Sequence, residues 1–128
     1  MNKRIYYHDT DCGGVVYYSN YLKYMEEART EFFENSGILI QELANAGILF
    51  VVVRQEVDYE SPAFYADCLQ VEAKITDMSR VKIVFEQTVK NQNGKIVCRG
   101  KTFMVCVDKS IRPQGIPEEL KKKLNSAC

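Results

Sequence analysis

Asn20-Tyr21-Leu22-Lys23-Tyr24-Met25-Glu26-Glu27-Ala28-Arg29-Thr30-Glu31-Phe32-Phe33-Glu34-Asn35 is the stretch that decides the fold. Tyr21, Met25, Ala28 and Phe32 recur at helical spacing while Lys23, Glu27, Thr30, Glu31 and Glu34 fill the other side, so the segment reads as one long amphipathic helix. Ser19 or Asn20 offers an N-cap, and Gly37 stands where a helix C-terminus favours a left-handed residue. A shorter helix over Leu39 to Ala46 then ends at Gly47.

Beyond these helices the period changes to two. Leu69, Val71, Ala73 and Ile75 alternate with Gln70, Glu72, Lys74 and Thr76, and Val81, Ile83 and Phe85 alternate with Lys82 and Glu86, the pattern of strands with one wet face. Met78-Ser79-Arg80 and Asn91-Gln92-Asn93-Gly94 are the short polar connections of antiparallel hairpins. Phe50 to Tyr59 and Ile96 to Val107 complete the sheet, and Arg4 to Tyr7 reads as a short first strand. Pro113 and Pro117 lead into a lysine-rich tail helix from Glu118 to Leu124. The layout is α+β, with a single long helix covering one face of a five-stranded antiparallel sheet. One helix rarely covers such a face, so a second copy of the chain is the expected partner.

The 128 residues, read as residues 1–128 of one domain, suffice for a genuine core. Seventeen Lys and Arg balance seventeen Asp and Glu, leaving no basic field to attract nucleic acid. The longest unbroken aliphatic and aromatic run, Ile48 to Val53, falls far below the roughly 18 residues of a membrane span, and Met1 to Asp11 contains no apolar signal core. The expected location is the cytoplasm. Cys12, Cys68, Cys98, Cys106 and Cys128 are odd in number, contain no C-x-x-C and share the chain with one His, so reduced thiols are expected and no metal site.

The densest cluster of polar and flexible residues is Tyr6-Tyr7-His8-Asp9-Thr10-Asp11-Cys12-Gly13-Gly14, ahead of the long helix. Unpaired N–H groups at a helix start polarise a carbonyl or hold an oxyanion, and a nearby carboxylate acts as base or nucleophile. Asp11 is that candidate; the structural alternative is that Asp9 and Asp11 simply cap the turn and helix. Cys12 beside His8 suggests a thiol nucleophile but reads better as a bystander, and Glu26 and Arg29, spaced i and i+3, read as structural, with pairing along the helix or between subunits both open.

Tyr7-His8-Asp9-Thr10-Asp11-Cys12-Gly13-Gly14-Val15-Val16-Tyr17-Tyr18-Ser19-Asn20-Tyr21, continuing through Glu26 and Ala28-Arg29 into Phe32, resembles the signature of hotdog-fold acyl-CoA thioesterases of the 4-hydroxybenzoyl-CoA and YbgC-like group. Tyr59-x-x-Pro62-Ala63 and Val105-Cys106-Val107-Asp108 resemble the group as well. The resemblance implies a long helix wrapped by a curved sheet, paired as homodimers and often as homotetramers. By motif position, Asp11 matches the catalytic carboxylate, Tyr18 the residue whose backbone N–H polarises the thioester carbonyl, and Tyr7 a supporting tyrosine. YbgC-like members often carry His where this chain has Tyr18; a backbone role survives that change and an imidazole role does not.

Hydrolysis of a small acyl-CoA thioester is the implied reaction, with coenzyme A arriving as part of the substrate and no cofactor required. Its phosphates need surface cations, for which Arg80 and Lys82 are the candidates, against the alternative of an ordinary charged hairpin. An acyl carrier protein is the alternative carrier of the acyl group, and a non-hydrolytic acyl-thioester binding module is the alternative function.

Overall fold

The computed structural model describes residues 1–126, and Cys128 lies outside them. The elements are β1 (Asn2–Arg4), α1 (Asn20–Asn35), α2 (Ile40–Asn45), β2 (Leu49–Tyr59), β3 (Cys68–Met78), β4 (Lys82–Lys90), β5 (Ile96–Val107) and α3 (Glu118–Ser126). The sheet has five strands in the order β1-β3-β4-β5-β2, with every neighbouring pair antiparallel. Register shifts between Val52 and Arg54 in β2 and between Ile75 and Asp77 in β3 mark bulges, which bend and twist a sheet. The long helix on an antiparallel sheet is the hotdog arrangement expected above.

The first strand differs from the expected Arg4 to Tyr7: it runs Asn2–Arg4 against β3, and a single 3-10 turn occupies Tyr7–Asp9. The cause is Asp9, only 5% exposed, whose carboxylate accepts the Tyr6 N–H at 2.9 Å and the Tyr24 hydroxyl at 2.8 Å. These bonds draw the apolar run Ile5-Tyr6-Tyr7 into a turn, burying Ile5 alone of the three. Asn20 Nδ2 donates to the Asp9 carbonyl at 3.0 Å, and the Tyr17 N–H donates to it at 3.1 Å. Asp9 thereby ties the turn to the start of α1.

Helix α1 buries Tyr21, Tyr24, Met25, Ala28, Arg29 and Phe33, with Phe32 half-buried at the margin of this stripe. Two apolar clusters result. Tyr21, Tyr24, Met25 and Ala28 pack with Ile5, Leu69, Val71, Val89 and Val97, and Phe33 packs with Ile83, Phe85, Cys106, Leu120 and Leu124. Between them lies a polar seam: Arg29 Nη1 donates to Gln87 Oε1 at 2.9 Å and Thr102 Oγ1 at 3.3 Å, while Gln87 Nε2 donates to the Met25 carbonyl at 2.9 Å. Arg29 directs its hydrogen bonds to the sheet and makes no direct ion pair with Glu26 among the described residues, while the Glu26 charge still favours its charged form.

Gly100, buried at the centre of β5, lies directly beneath the Met25 side chain of α1. A Cβ there would stand 2.6 Å from Met25 Sδ and 2.8 Å from its Cε, closer than side chains tolerate. We predict that Gly100→Ala costs about 1–3 kcal/mol in urea denaturation through overpacking, and that Met25→Ala in the same chain removes part of that cost; strictly additive losses would contradict the assigned clash.

The Asp9 carboxyl is also a stability sensor. Burial alone would raise its pKa, but the Tyr6 N–H, the Tyr24 hydroxyl and the His8 and Lys3 charges together hold it below the ordinary 3.8. A lowered folded-state pKa contributes stability that is complete above the unfolded value and disappears as pH falls through the folded one. The stability gap between native protein and Asp9→Asn should therefore be constant above about pH 5 and narrow as pH falls through and below 3.8. A gap independent of pH down to acid unfolding would remove this role.

Candidate active site

The loop from Tyr7 to Ser19 is built so that Asp11 faces outward while Asp9 faces inward. Asp11 begins a tight turn: its N–H donates to the Val15 carbonyl at 2.8 Å, and its carbonyl accepts the Gly14 N–H at 3.0 Å. Its Oδ1 accepts the Gly13 N–H at 2.8 Å, while Oδ2 has no hydrogen-bond partner among the described residues. Both glycines have a steric reason. A Cβ at Gly13 would crowd Asp11 Oδ1 at 3.2 Å, and Gly14 has φ +82°, where L side chains are strained. Bridges from Thr10 to Val16 and from Val15 to Phe64 fasten the turn to the body.

Between this turn and α1 stand Tyr17, Tyr18 and Ser19. Ser19 takes the N-cap position with helical dihedrals and makes no side-chain cap, and the Asn20 side chain is spent on Asp9. The Tyr18 and Ser19 N–H groups, ahead of the first helical residue, have no acceptor among the described residues. Free donors at a helix start carry partial positive charge and suit a carbonyl oxygen or an oxyanion. Tyr18 is 61% exposed, and its carbonyl accepts the Tyr59 hydroxyl at 3.1 Å. The Tyr17 phenol is raised above its ordinary 10.0, first by its hydrogen bond with Tyr18 and in smaller part by the Asp11 charge. Beside Tyr18 a cavity of ≈ 330 Å³ is lined by Val15, Val16, Tyr21, Tyr59 and Pro62 among others.

Tyr7 is 72% exposed and stacks on Tyr65, with ring centroids 3.9 Å apart and planes within 2°. Tyr59 and Tyr65, distant in sequence, are the site-forming residues that sequence reasoning missed as site residues. Cys12 is exposed and has no contact with His8 among the described residues; His8 instead lies 3.7 Å from Asp9 and stacks on Tyr6. Burial pushes the Cys98 thiol up to about 12 and raises Cys106 as well, so neither is a ready thiolate. Among the described residues no group of three or more His, Cys, Asp and Glu is arranged to hold a metal ion.

Arg80 and Lys82 are not brought to Asp11 within one chain. The Asp11 turn is fastened near Phe64, before the start of β3, whereas Arg80 follows its end, and eleven strand residues span about 30 Å. Arg80 lies over Gly115, and Lys82 Nζ sits 6.0 Å from the Phe103 ring centroid beside Arg54 and Lys101.

Residues 6–124 match the model of the thioesterase-like superfamily. Among curated relatives, the Escherichia coli O6:H1 acyl-CoA thioester hydrolase YbgC is 35% identical over 118 residues, covering 91% of this chain and 88% of the relative. Among solved structures, a hypothetical protein from Thermus thermophilus superposes with a TM-score of 0.94 at 26% identity, covering 100% of this chain and 98% of that one. A thioesterase from the same species, complexed with coenzyme A and zinc, gives 0.86 at 28% identity, covering 99% and 92%. With the family model spanning all but the two ends and the fold reproduced along its length, the chain belongs to the thioesterase-like superfamily.

Proposed function

We propose that residues 1–128 act as one thioesterase domain that hydrolyses a small acyl-CoA thioester to a carboxylate and free coenzyme A. The observation that carries this reading is the Tyr7 to Ser19 loop, which presents an outward carboxylate with one open oxygen and, seven residues on, the unpaired N–H of Tyr18 ahead of α1, in a chain of this family. The YbgC relative, named an acyl-CoA thioester hydrolase, supports the substrate class.

In this reading the Tyr18 N–H receives the thioester carbonyl oxygen and stabilises the charge that develops there. Asp11 acts by one of two routes. As nucleophile, its open oxygen bonds to the carbonyl carbon, the C–S bond breaks, and water then cleaves the mixed anhydride to restore the carboxylate. As general base, it takes a proton from water while the oxygen of that water adds to the carbon and the C–S bond breaks. The leaving thiol, with a pKa of roughly 8.5, departs as thiolate without a strong acid. The chemistry calls on no metal or redox group. Tyr7, held flat against Tyr65, forms a wall of the site.

The working form is a dimer or tetramer in the cytoplasm. β2 is an edge strand of eleven residues with exposed Val52 and Val53, and a second copy laid antiparallel along it satisfies its open backbone groups. Because Arg80 and Lys82 lie far from Asp11 in one chain, their service to the coenzyme A phosphates requires such a neighbour. An acyl carrier protein thioester is the second carrier to assay. No helix among the described residues is long and apolar enough to cross a membrane.

Thiol release from acyl-CoA substrates, corrected for endogenous cysteines, tests the reading. Asp11→Asn should lower kcat about 10²–10⁴-fold with the melting temperature and oligomer unchanged, whereas Tyr18→Phe, which keeps the backbone donor, should change kcat only a few-fold. Acyl-CoA binding without thiol release by the native protein would favour a binding module, and equal losses in the two variants would refute the backbone role of Tyr18.

A further inference from the structure

Tyr59 closes β2 and reaches the loop ahead of α1 without belonging to it. Its backbone is held in the sheet opposite Cys98, and the next N–H, that of Glu60, donates to the Val97 carbonyl at 2.8 Å. Its ring packs tilted on Tyr21, with centroids 5.8 Å apart, and edge-on to Tyr18 at 6.2 Å. Tyr21 is buried and meets Tyr24, whose hydroxyl is spent on Asp9, so Tyr59 rests against the core on one side while its own hydroxyl donates to the Tyr18 carbonyl at 3.1 Å. Burial raises this phenol above its ordinary 10.0, which keeps it a protonated donor at neutral pH.

Two peptide units flank the Tyr18 Cα, and each is held by its carbonyl. The Tyr17 carbonyl accepts the Asn20 N–H at 2.9 Å, and the Tyr18 carbonyl accepts the Tyr59 hydroxyl. Both peptides are trans, and in a trans peptide the N–H points opposite to the C=O. Anchoring the two carbonyls therefore aims the two N–H groups, that of Tyr18 away from Asn20 and that of Ser19 away from Tyr59. Neither has an acceptor among the described residues. The first anchor is a backbone bond of the turn into α1, whereas the second depends on one side-chain atom. A hydrogen bond to a carbonyl also polarises its peptide, which makes the N–H at the other end a stronger donor.

We propose that Tyr59 is a positioning residue of the thioester site, its hydroxyl holding the Tyr18–Ser19 peptide so that the Ser19 N–H joins that of Tyr18 on the thioester carbonyl oxygen. This rests on the hydrolase reading above and adds to it a second donor and the residue that aims it. Tyr59 acts through the peptide: its ring lines the cavity beside Tyr18, and the hydroxyl alone does the aiming.

Tyr59→Phe keeps the ring, removes the hydroxyl and tests the proposal. With folding checked by melting temperature, kcat for thiol release should fall about tenfold, less than the roughly 10²–10³ of a lost oxyanion donor, while KM stays near the native value. An infrared measurement separates aiming from general loosening. It uses an acyl-CoA analogue whose thioester sulfur is replaced by methylene and whose carbonyl carbon is isotopically labelled. The bound carbonyl band should stand at lower wavenumber in the native protein than in Tyr59→Phe. An unchanged kcat, a loss carried by KM alone, or the same carbonyl band in both proteins would each overturn the proposal. Where Tyr59→Phe fails to fold, the native protein crystallised with the same analogue decides: the carbonyl oxygen should lie about 2.7–3.1 Å from both the Tyr18 and the Ser19 nitrogens, and contact with Tyr18 alone would overturn it. Native turnover with an unaffected variant removes the role of Tyr59 and leaves the hydrolase reading standing; absence of native turnover on every acyl-CoA tried removes both.

Discussion

The close seating of α1 on the middle of the sheet is the constraint on which the rest of this structure depends. Met25 occupies the space that any side chain at position 100 would need, and Gln87 reaches up from β4 to the Met25 carbonyl. Glycine in a strand interior normally weakens the strand, so its presence in β5 is explained by the approach it permits. One helix turn further on, Arg29 enters the same interface and separates two apolar clusters with a polar seam. Apolar packing supplies the stability, and the seam sets direction, because Gln87 and Thr102 accept the guanidinium in one helix position only. With α1 fixed in this way, the place of its N-terminus is fixed as well.

The Tyr7 to Ser19 loop is a consequence of that placement. Two aspartates two positions apart do opposite work: Asp9 turns inward and binds Tyr6, Tyr24 and the start of α1, and Asp11 turns outward with an open oxygen. The inward one holds the loop, and the outward one is available for chemistry. At the helix start the Tyr18 and Ser19 N–H groups have no acceptor among the described residues, an arrangement that suits a site for a carbonyl oxygen.

Much of the fold was legible in the sequence because its signals are local. The helical period over Asn20–Asn35 and the alternation along β3 each follow one buried face, β4 is buried on both faces around Val84, and the structure places these elements where the pattern does. The first strand was misplaced because Ile5-Tyr6-Tyr7 has strand character by itself, and the force that bends it comes from Tyr24, fifteen residues away. For Arg29 the spacing of three from Glu26 conveys only a local relation, whereas its hydrogen-bond partners lie on strands about sixty and seventy residues on. The Asp11 loop was recognised from its motif, but Tyr59 and Tyr65 come to it through tertiary contacts that no local period announces. Arg80 and Lys82 were singled out by charge and hairpin position alone, and the structure sets them beyond the far end of β3 from the Asp11 turn.

The central claim is that the thioester reacts over the Asp11 turn with its carbonyl on the Tyr18 N–H. The most direct measurement is a crystal structure of the native protein with a non-hydrolysable acyl-CoA analogue in which the thioester sulfur is replaced by methylene. The account predicts the carbonyl oxygen about 2.7–3.1 Å from the Tyr18 nitrogen, with an Asp11 oxygen facing the carbonyl carbon directly or across one water. A carbonyl held elsewhere, with Asp11 and Tyr18 both turned to solvent, would contradict it.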